Sequence, residues 1–289
     1  MRKWVLIASL IFFAVQLTIG QDSQGRTTPV GAANFVENYI DIEAVGVPPK
    51  EQDKGSSAAY ADARRAAQVL AARNLAEILS GLYLQSSTSF SDQGATDFVD
   101  SVRADLIRTS VPGGKAVEET SLEEFKKENL VRLVVRFPLD ETLPYVMRRI
   151  GPRLQQSEKT LAQSPEPSKA EVKQASYDAL IVKVPKEFKP SVGAKIFDSQ
   201  NRLVYGATSV SPDVMMLQGT GKFAADTDKA KATFEAFGAH NVLVIDGTLY
   251  ATKTDARISD TDASMVLAAN ESSHFLQRAQ VFFVIGSKK

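Results

Sequence analysis

Alternating apolar and polar positions predict the strands in the first half of the chain. Residues 38–47 place Ile40, Ile42 and Ala44 on one side, and residues 130–137 alternate apolar side chains with Arg132 and Arg136. This period of two is typical of a half-buried strand with one solvated face. Residues 82–90 alternate in the same way, and residues 111–120 lead toward another strand.

A helical period of apolar residues predicts a long helix over residues 58–80, which Gly81 would end. The small residues at the start of its apolar face would let it lie close to a sheet. Shorter patterns predict helices over residues 97–108 and 141–161. The apolar face of the long helix comprises Ala63, Ala67, Leu70, Ala71, Leu75 and Ile78.

The second half mixes strands and helices. Residues 177–184 and 281–285 read as buried strands, and residues 226–237 and 262–278 as helices. Two hairpins are predicted. One joins residues 192–197 to 202–205, and the other joins 241–245 to 248–252 through Asp246-Gly247, a favoured hairpin turn.

The order of elements favours an α+β fold over a doubly wound parallel sheet, because no regular βαβ rhythm appears. We expect two small mixed α/β domains, each a sheet covered by helices. The N-terminal domain covers residues 34–162 and the C-terminal domain residues 177–289. A linker rich in Pro and Ser at 163–176 separates them, and residues 21–33 form a flexible leader.

The N-terminus has the pattern of an export signal. Arg2 and Lys3 precede an apolar run over residues 4–17, and small residues follow before Gly20. We expect cleavage between Gly20 and Gln21, and a periplasmic or secreted bacterial protein without a transmembrane helix after cleavage. The alternative, a retained anchor, would need about 20 apolar residues to span a bilayer.

Composition removes several classes of function. The 289 residues include no cysteine, which excludes a cysteine-linked lipid anchor, disulfides and thiolate chemistry. Basic and acidic residues balance at 34 each, so no charge excess indicates a nucleic-acid partner. A hydrophobic content of 44% is enough for one or two ordinary cores.

The search for reactive groups yields no catalytic, cofactor-binding or metal-binding residue, so we expect no cofactor and no enzymatic activity. His240 and His274 lack an orienting motif. Gly219-Thr220-Gly221-Lys222 lacks the Ser or Thr that follows a phosphate-loop lysine and reads as an ordinary loop. The pairs Asp226/Asp228 and Asp260/Asp262 lack the rest of a calcium loop, and helix capping explains them.

The long predicted helix carries a family resemblance. Residues 71–82, Ala-Ala-Arg-Asn-Leu-Ala-Glu-Ile-Leu-Ser-Gly-Leu, resemble a pattern of the lipoprotein-20 family and of the N-terminal domain of flagellar assembly protein T. Residues 177–182, 194–198, 204–206 and 258–263 resemble longer lipoprotein-20-like envelope proteins. The resemblance implies the bacterial periplasm or outer membrane, and the flagellar relative helps to build a ring around the motor. It brings no catalytic residues.

Two classes of function follow. The first is a non-enzymatic envelope protein that acts through contacts with other envelope proteins, as an assembly or scaffolding factor that is flagellar or associated with the outer membrane; self-association stays open. The alternative is a periplasmic module that binds a small ligand or peptidoglycan in the cleft between the two domains. A hydrolase would require a pocket that joins His240 or His274 to a carboxylate and a serine.

Overall fold

The computed structural model describes residues 31–50, 53–86, 114–162 and 176–286. The predicted signal at 1–20, residues 21–30 of the predicted leader, the helix at 97–108 and residues 163–175 of the linker predicted at 163–176 lie outside these ranges. Residues 31–33, predicted as part of a flexible leader, belong instead to the strand Gly31–Asn34. So do residues 87–90 of the strand predicted at 82–90.

Both described halves of the chain contain strands and helices, without a regular alternation. In chain order, the strands are β1 (Gly31–Asn34), β2 (Tyr39–Gly46), β3 (Lys115–Glu119), β4 (Val131–Pro138), β5 (Ala179–Val184), β6 (Ile196–Phe197), β7 (Leu203–Tyr205), β8 (Lys222–Ala224), β9 (Val242–Asp246), β10 (Thr248–Leu249), β11 (Ala256–Arg257) and β12 (Val281–Ile285). The helices are α1 (Ser57–Ser86), α2 (Leu122–Glu128), α3 (Leu139–Glu158), α4 (Pro212–Gln218), α5 (Thr227–Ala236) and α6 (Asp260–Ser273).

The first sheet is antiparallel, with the strand order β1-β2-β4-β3. The alternation predicted for its two central strands is confirmed. Ile40 and Ile42 of β2 and Leu133 of β4 are fully or almost fully buried. On the opposite face, Arg136 of β4 forms two hydrogen bonds with the carboxylate of Asp41, each of 2.7 Å.

Helix α1 covers the buried face of this sheet and approaches it closely. A Cβ atom added to Gly46 of β2 would collide with the backbone of Ala63 and Ala67. The predicted stripe of small residues therefore does let the helix lie against the sheet. The predicted end at Gly81 is wrong, since α1 continues to Ser86 and includes the first residues of the strand predicted at 82–90. One glycine costs a helix only about 1 kcal/mol.

Helix α3 connects the two halves of the chain. It follows β4 directly and packs along α4 and the 3-10 turn at Ala207–Ser209. The Gln155 side chain donates hydrogen bonds to the carbonyls of Ala207 and Val210 at 3.0 and 2.9 Å. The helix predicted at 141–161 is thus confirmed, with slightly earlier bounds.

The second sheet is parallel, with the order β8-β12-β5-β9. Leu180 and Phe283 face the main core, while Ile181 and Phe282 face a second cluster that includes Phe234 of α5. Burial of both faces is typical of parallel sheets. The strands predicted at 177–184 and 281–285 and the helix predicted at 226–237 are confirmed.

A third, small sheet has the order β10-β11-β6-β7. The hairpin predicted around residues 198–201 is confirmed, because β6 and β7 pair antiparallel. The hairpin predicted at Asp246-Gly247 is wrong, because β9 belongs to the parallel sheet and β10 to the small one. The helix predicted at 262–278 ends earlier, at Ser273.

The predicted α+β class is confirmed, with sheets that pack against helices. The fully parallel sheet in the second half was not expected. One continuous apolar cluster joins residues of both halves, among them Leu75, Leu133 and Phe283. The predicted domain boundary falls mainly outside the described residues and stays a prediction. None of the helices in the described ranges is both long and apolar enough to cross a membrane.

Candidate functional site

A pocket lies where the two halves of the chain meet. Residues 35–38, between β1 and β2, and the first turn of α3 form one side. Helix α4, strand β8 and helix α5 form the other side. The pocket has a volume of about 800 Å³, within the range of roughly 300–1,000 Å³ that small-molecule sites occupy.

The walls of the pocket are mainly apolar, and aromatic rings connect its two sides. The ring of Phe35 meets the ring of Phe223 edge-on, with 5.4 Å between centroids. Phe223 stacks in turn on Phe283 of the neighbouring strand, at 5.6 Å. The apolar lining comprises Phe35, Val36, Leu139, Leu143, Val192, Val214, Leu217, Phe223, Phe237 and Phe282.

Two of these apolar side chains are largely exposed. Leu217 of α4 retains 58% of its accessible surface and Phe237, just after α5, retains 64%. Single exposed apolar residues are common on protein surfaces. Here the two belong to one pocket, so a bound molecule could cover both.

Lys222, the first residue of β8, places a partly buried cation in this apolar lining. Its ammonium nitrogen lies 4.3 Å from the centroid of the Phe237 ring, in the geometry of a cation–π contact. No carboxylate among the described residues lies within ion-pair distance of it. Burial lowers the pKa of Lys222 below its usual value, because the charged form loses hydration.

The remaining charges of the lining are better compensated. Lys229 of α5 lies 3.9 Å from the carboxylate of Glu37, and both side chains are more than half exposed. Asp140 is exposed in the first turn of α3, where the helix dipole favours a negative charge, and it accepts a hydrogen bond from the Glu141 N–H at 3.1 Å. Lys222 is therefore the charge that a bound group would change most.

A second polar group of interest, Ser191, lies in the wall beside Val192. The residue is 1% exposed, and its hydroxyl has no hydrogen-bond partner among the described residues. An unpaired buried hydroxyl usually costs free energy, so a polar group at this wall would find a donor and acceptor in Ser191.

A separate group of buried charges lies at the other end of α3. Asp255 and Lys195 are 1% and 3% exposed in their side chains, and Lys195 Nζ lies 3.8 Å from Asp255 Oδ1. Glu158, the last residue of α3, is 1% exposed and accepts a hydrogen bond from the Thr208 N–H at 2.9 Å. Its other oxygen, Oε1, has no partner among the described residues.

Burial is the main cause of the pKa shifts of Glu158 and Asp255. Desolvation raises the pKa of Glu158 to about 7, although the Thr208 N–H and the Lys195 charge oppose the rise. Desolvation also raises the pKa of Asp255, against the attraction of Lys195. Close by, the Tyr205 hydroxyl donates a hydrogen bond to the Thr220 carbonyl, and burial raises the pKa of that phenol well above its usual value. These groups lie in the protein interior and do not line the pocket.

The residues considered for chemistry in the sequence lie apart. His240 is exposed before β9, and its backbone N–H donates to Asp178. His274 is exposed at the end of α6, in the left-handed conformation with φ of 52°, and not inside the helix as predicted. Neither histidine lines the described pocket.

The acidic pairs have structural roles. Asp226 caps α5 and accepts the Lys229 N–H at 2.7 Å, as the capping interpretation predicts. Ser259 caps α6, and the carboxylate of Asp260 accepts hydrogen bonds from Ser199 and Gln200. In the part of the chain that the structure describes, no three His, Asp or Glu side chains cluster as metal ligands would.

The loop at residues 219–222 contributes to the pocket, although the sequence pattern indicates only an ordinary loop. Gly219 ends α4 with φ of 72°, and the Thr220 hydroxyl is buried and bonds the Ala194 carbonyl at 2.9 Å. Lys222 then enters the pocket wall. The sequence argues against a phosphate loop here, but nothing in the local pattern indicates that this lysine lies over the Phe237 ring and lines a pocket.

Comparison with known families places similarity in the second half of the chain. Residues 174–287 match the family model of the second domain of Treponema pallidum Tp0624, a bacterial family. This region contains the parallel sheet, the small sheet and one side of the pocket. No curated protein matches the chain. The resemblance to lipoprotein-20 and flagellar assembly proteins stays a prediction.

Proposed function

We propose that this protein is an exported, non-enzymatic binding module of the bacterial cell envelope, which takes a small ligand in the pocket between its two halves. The pocket itself carries the proposal. It lies between the two halves of the chain, its volume suits a small molecule, and its walls are mainly apolar with polar and charged side chains among them.

Binding fits the lining better than catalysis does. The titratable side chains of the described lining are Glu37, Asp140, Lys222 and Lys229. They do not include a histidine or a serine paired with a base, which acyl transfer would require. The buried Glu158 and Asp255 have raised pKa values, but they lie away from this pocket.

The leading hypothesis from the sequence, contact with other envelope proteins in a lipoprotein-20-like or flagellar assembly role, remains a second proposal. The exposed side chains of Leu217 and Phe237 support it, because a protein partner could cover them as well as a ligand could. Export through the N-terminal signal is part of both proposals.

A neutral fluorescent probe tests the pocket without involving its charges. N-phenyl-1-naphthylamine is apolar and brightens when it leaves water, so we expect saturable binding to the purified protein. Ala232 lines the pocket from the exposed side of α5, so Ala232→Trp should fill the pocket with little cost to folding.

The matched control is Ala236→Trp, an exposed position on the same helix that does not line the pocket. We expect Ala232→Trp to weaken probe binding about tenfold or more, equivalent to about 1.4 kcal/mol, and Ala236→Trp to leave it unchanged. Absence of saturable binding, or equal binding by the two variants, would reject a ligand pocket and favour the protein-contact proposal.

A further inference from the structure

We propose that the pocket selects a small amphipathic anion, with its apolar body against the aromatic wall and its anionic head paired with Lys222. This inference rests on the proposed function and adds the chemical class of the ligand. Three observations carry it: the shape and composition of the walls, the position of Lys222, and the way in which the other charges of the lining are compensated.

The apolar residues of the lining favour a ligand with an apolar body. Rings from both halves, Phe35 and Phe223, form a continuous wall with Leu143 and Val214. A sugar or a peptidoglycan strand would leave the hydroxyl groups that face this apolar wall unpaired, at a cost for each buried polar group. An alkyl or aromatic body instead removes apolar surface from water on both sides of the contact. It also covers Leu217 and Phe237.

The Lys222 ammonium favours a ligand with an anionic head group. This ammonium is partly buried, touches the Phe237 ring at 4.3 Å, and has no carboxylate partner among the described residues. A carboxylate, phosphate or sulfonate near Phe237 would restore the electrostatic stabilisation that Lys222 loses by burial, through a charge-assisted hydrogen bond. The lowered pKa of Lys222 agrees with this incomplete compensation.

A cationic head is disfavoured because the carboxylates of the lining already have partners. Glu37 lies beside Lys229, and Asp140 lies at the start of α3 and accepts a backbone N–H. A free single-chain amphiphile fits better than a bilayer surface. The pocket is a cavity with two lysines balanced by two carboxylates, whereas binding to anionic membranes relies on clusters of basic residues.

The test compares dodecanoate with dodecanol, which have the same apolar chain but differ in head-group charge. Each displaces N-phenyl-1-naphthylamine from the purified protein at pH 7.5, below the concentration at which micelles form. We expect dodecanoate to bind about tenfold or more tightly than dodecanol, as one charge-assisted hydrogen bond allows.

Variants at Lys222 test whether this residue causes the difference in affinity between dodecanoate and dodecanol. Lys222→Met retains the apolar length of the side chain and should remove the preference for dodecanoate, while Lys222→Arg should restore most of it. Lys231→Met removes an exposed charge of α5 outside the pocket and should preserve the preference. Circular dichroism and thermal unfolding of each variant separate loss of binding from loss of folding.

The outcomes distinguish this inference from the proposed function. If both amphiphiles displace the probe equally, or if Lys222→Met retains the preference, the pocket binds ligands but the anion assignment is wrong. If dodecanoate fails to bind while vesicles of anionic phosphatidylglycerol displace the probe, the free-amphiphile assignment is wrong. If the probe itself does not bind in a manner sensitive to Ala232→Trp, the proposed function fails first.

Discussion

Lys195 and Asp255 are joined twice in the interior of the second half. The backbone N–H of Lys195 donates to Asp255 Oδ1 over 2.9 Å, and the ammonium of the same residue lies 3.8 Å from the same oxygen. Both side chains are almost completely buried. The pair joins the residue before β11 to the residue before β6, directly beside the point where these two strands pair in the small sheet.

Replacement of Lys195 by methionine should destabilise the protein, because it leaves the carboxylate of Asp255 without its buried cation. Breaking such a pair by removing one partner costs about 3–5 kcal/mol. The loss should be larger at pH 8 than at pH 5, because removal of the Lys195 charge raises the pKa values of Asp255 and Glu158 further, and a lower pH favours the uncharged carboxyl groups. Urea denaturation at both pH values measures it, and Lys189→Met at an exposed position is the control. A loss that does not depend on pH would contradict this account.

Glu158 should lower the free energy of unfolding as the pH rises from about 4.5 to about 7. The folded protein holds the Glu158 proton up to a pKa of about 7, whereas an unperturbed glutamate has a value of 4.5. Between these values the folded state binds more protons than the unfolded state, so the free energy of unfolding decreases with rising pH. The total decrease from this residue is on the order of 3 kcal/mol.

The variant Glu158→Gln isolates this effect, because it keeps a side-chain oxygen for the Thr208 N–H and cannot ionise. The difference in unfolding free energy between the variant and the wild type should shift in favour of the variant from pH 4.5 to 7 and then level off. Other carboxylates contribute to both proteins and cancel in this difference. A difference that stays constant over that range would show that Glu158 is ionised in the folded protein.

Gly46→Ala should destabilise the first sheet. The added methyl group would collide with the backbone of Ala63 and Ala67, so α1 would have to move away from β2. Overpacking of this kind costs about 1–3 kcal/mol, and a collision with backbone places it at the upper end. Thermal and urea unfolding measure the loss. The neighbouring Val45→Ala, on the exposed side of the same strand, should change stability much less.

Export should remove the first twenty residues. The basic start, the apolar run and the small residues before Gly20 predict that the mature chain begins at Gln21. Intact-mass measurement of the protein from the periplasm of an expressing bacterium tests the position of the cut. Recovery of an uncleaved chain in the membrane fraction would support the retained anchor instead.

The sequence predicts those elements in which the spacing of apolar residues follows which side chains of the element are buried. The alternation of Ile40 and Ile42 and the cap at Asp226 are local signals, and the structure agrees with both. Gly247 shows where local signals mislead. A Cβ atom at this glycine would approach Val182 Cγ1 to 2.8 Å, so the residue permits close passage over β5 and does not form a hairpin turn.

The pocket could not be predicted residue by residue, because its walls come from segments that are distant in the chain. Lys222 ends the segment Gly219-Thr220-Gly221-Lys222, which resembles a phosphate loop only superficially. Nothing in this segment indicates that Lys222 shares a pocket with Phe35 or Leu143. The sequence offers only a hypothesis, a ligand in a cleft between the two domains, and names no residue for it.

Because residues of both halves line the pocket, a ligand bound there would link the two halves. A molecule bound against Phe35 and Phe223 would contact both halves, so it would bind only when both are folded and packed together, and its binding free energy would add to the stability of their association. The region similar to the second domain of Tp0624 supplies one wall alone. A protein that contains a counterpart of residues 174–287 alone would therefore lack the wall that Phe35 and Leu143 provide here.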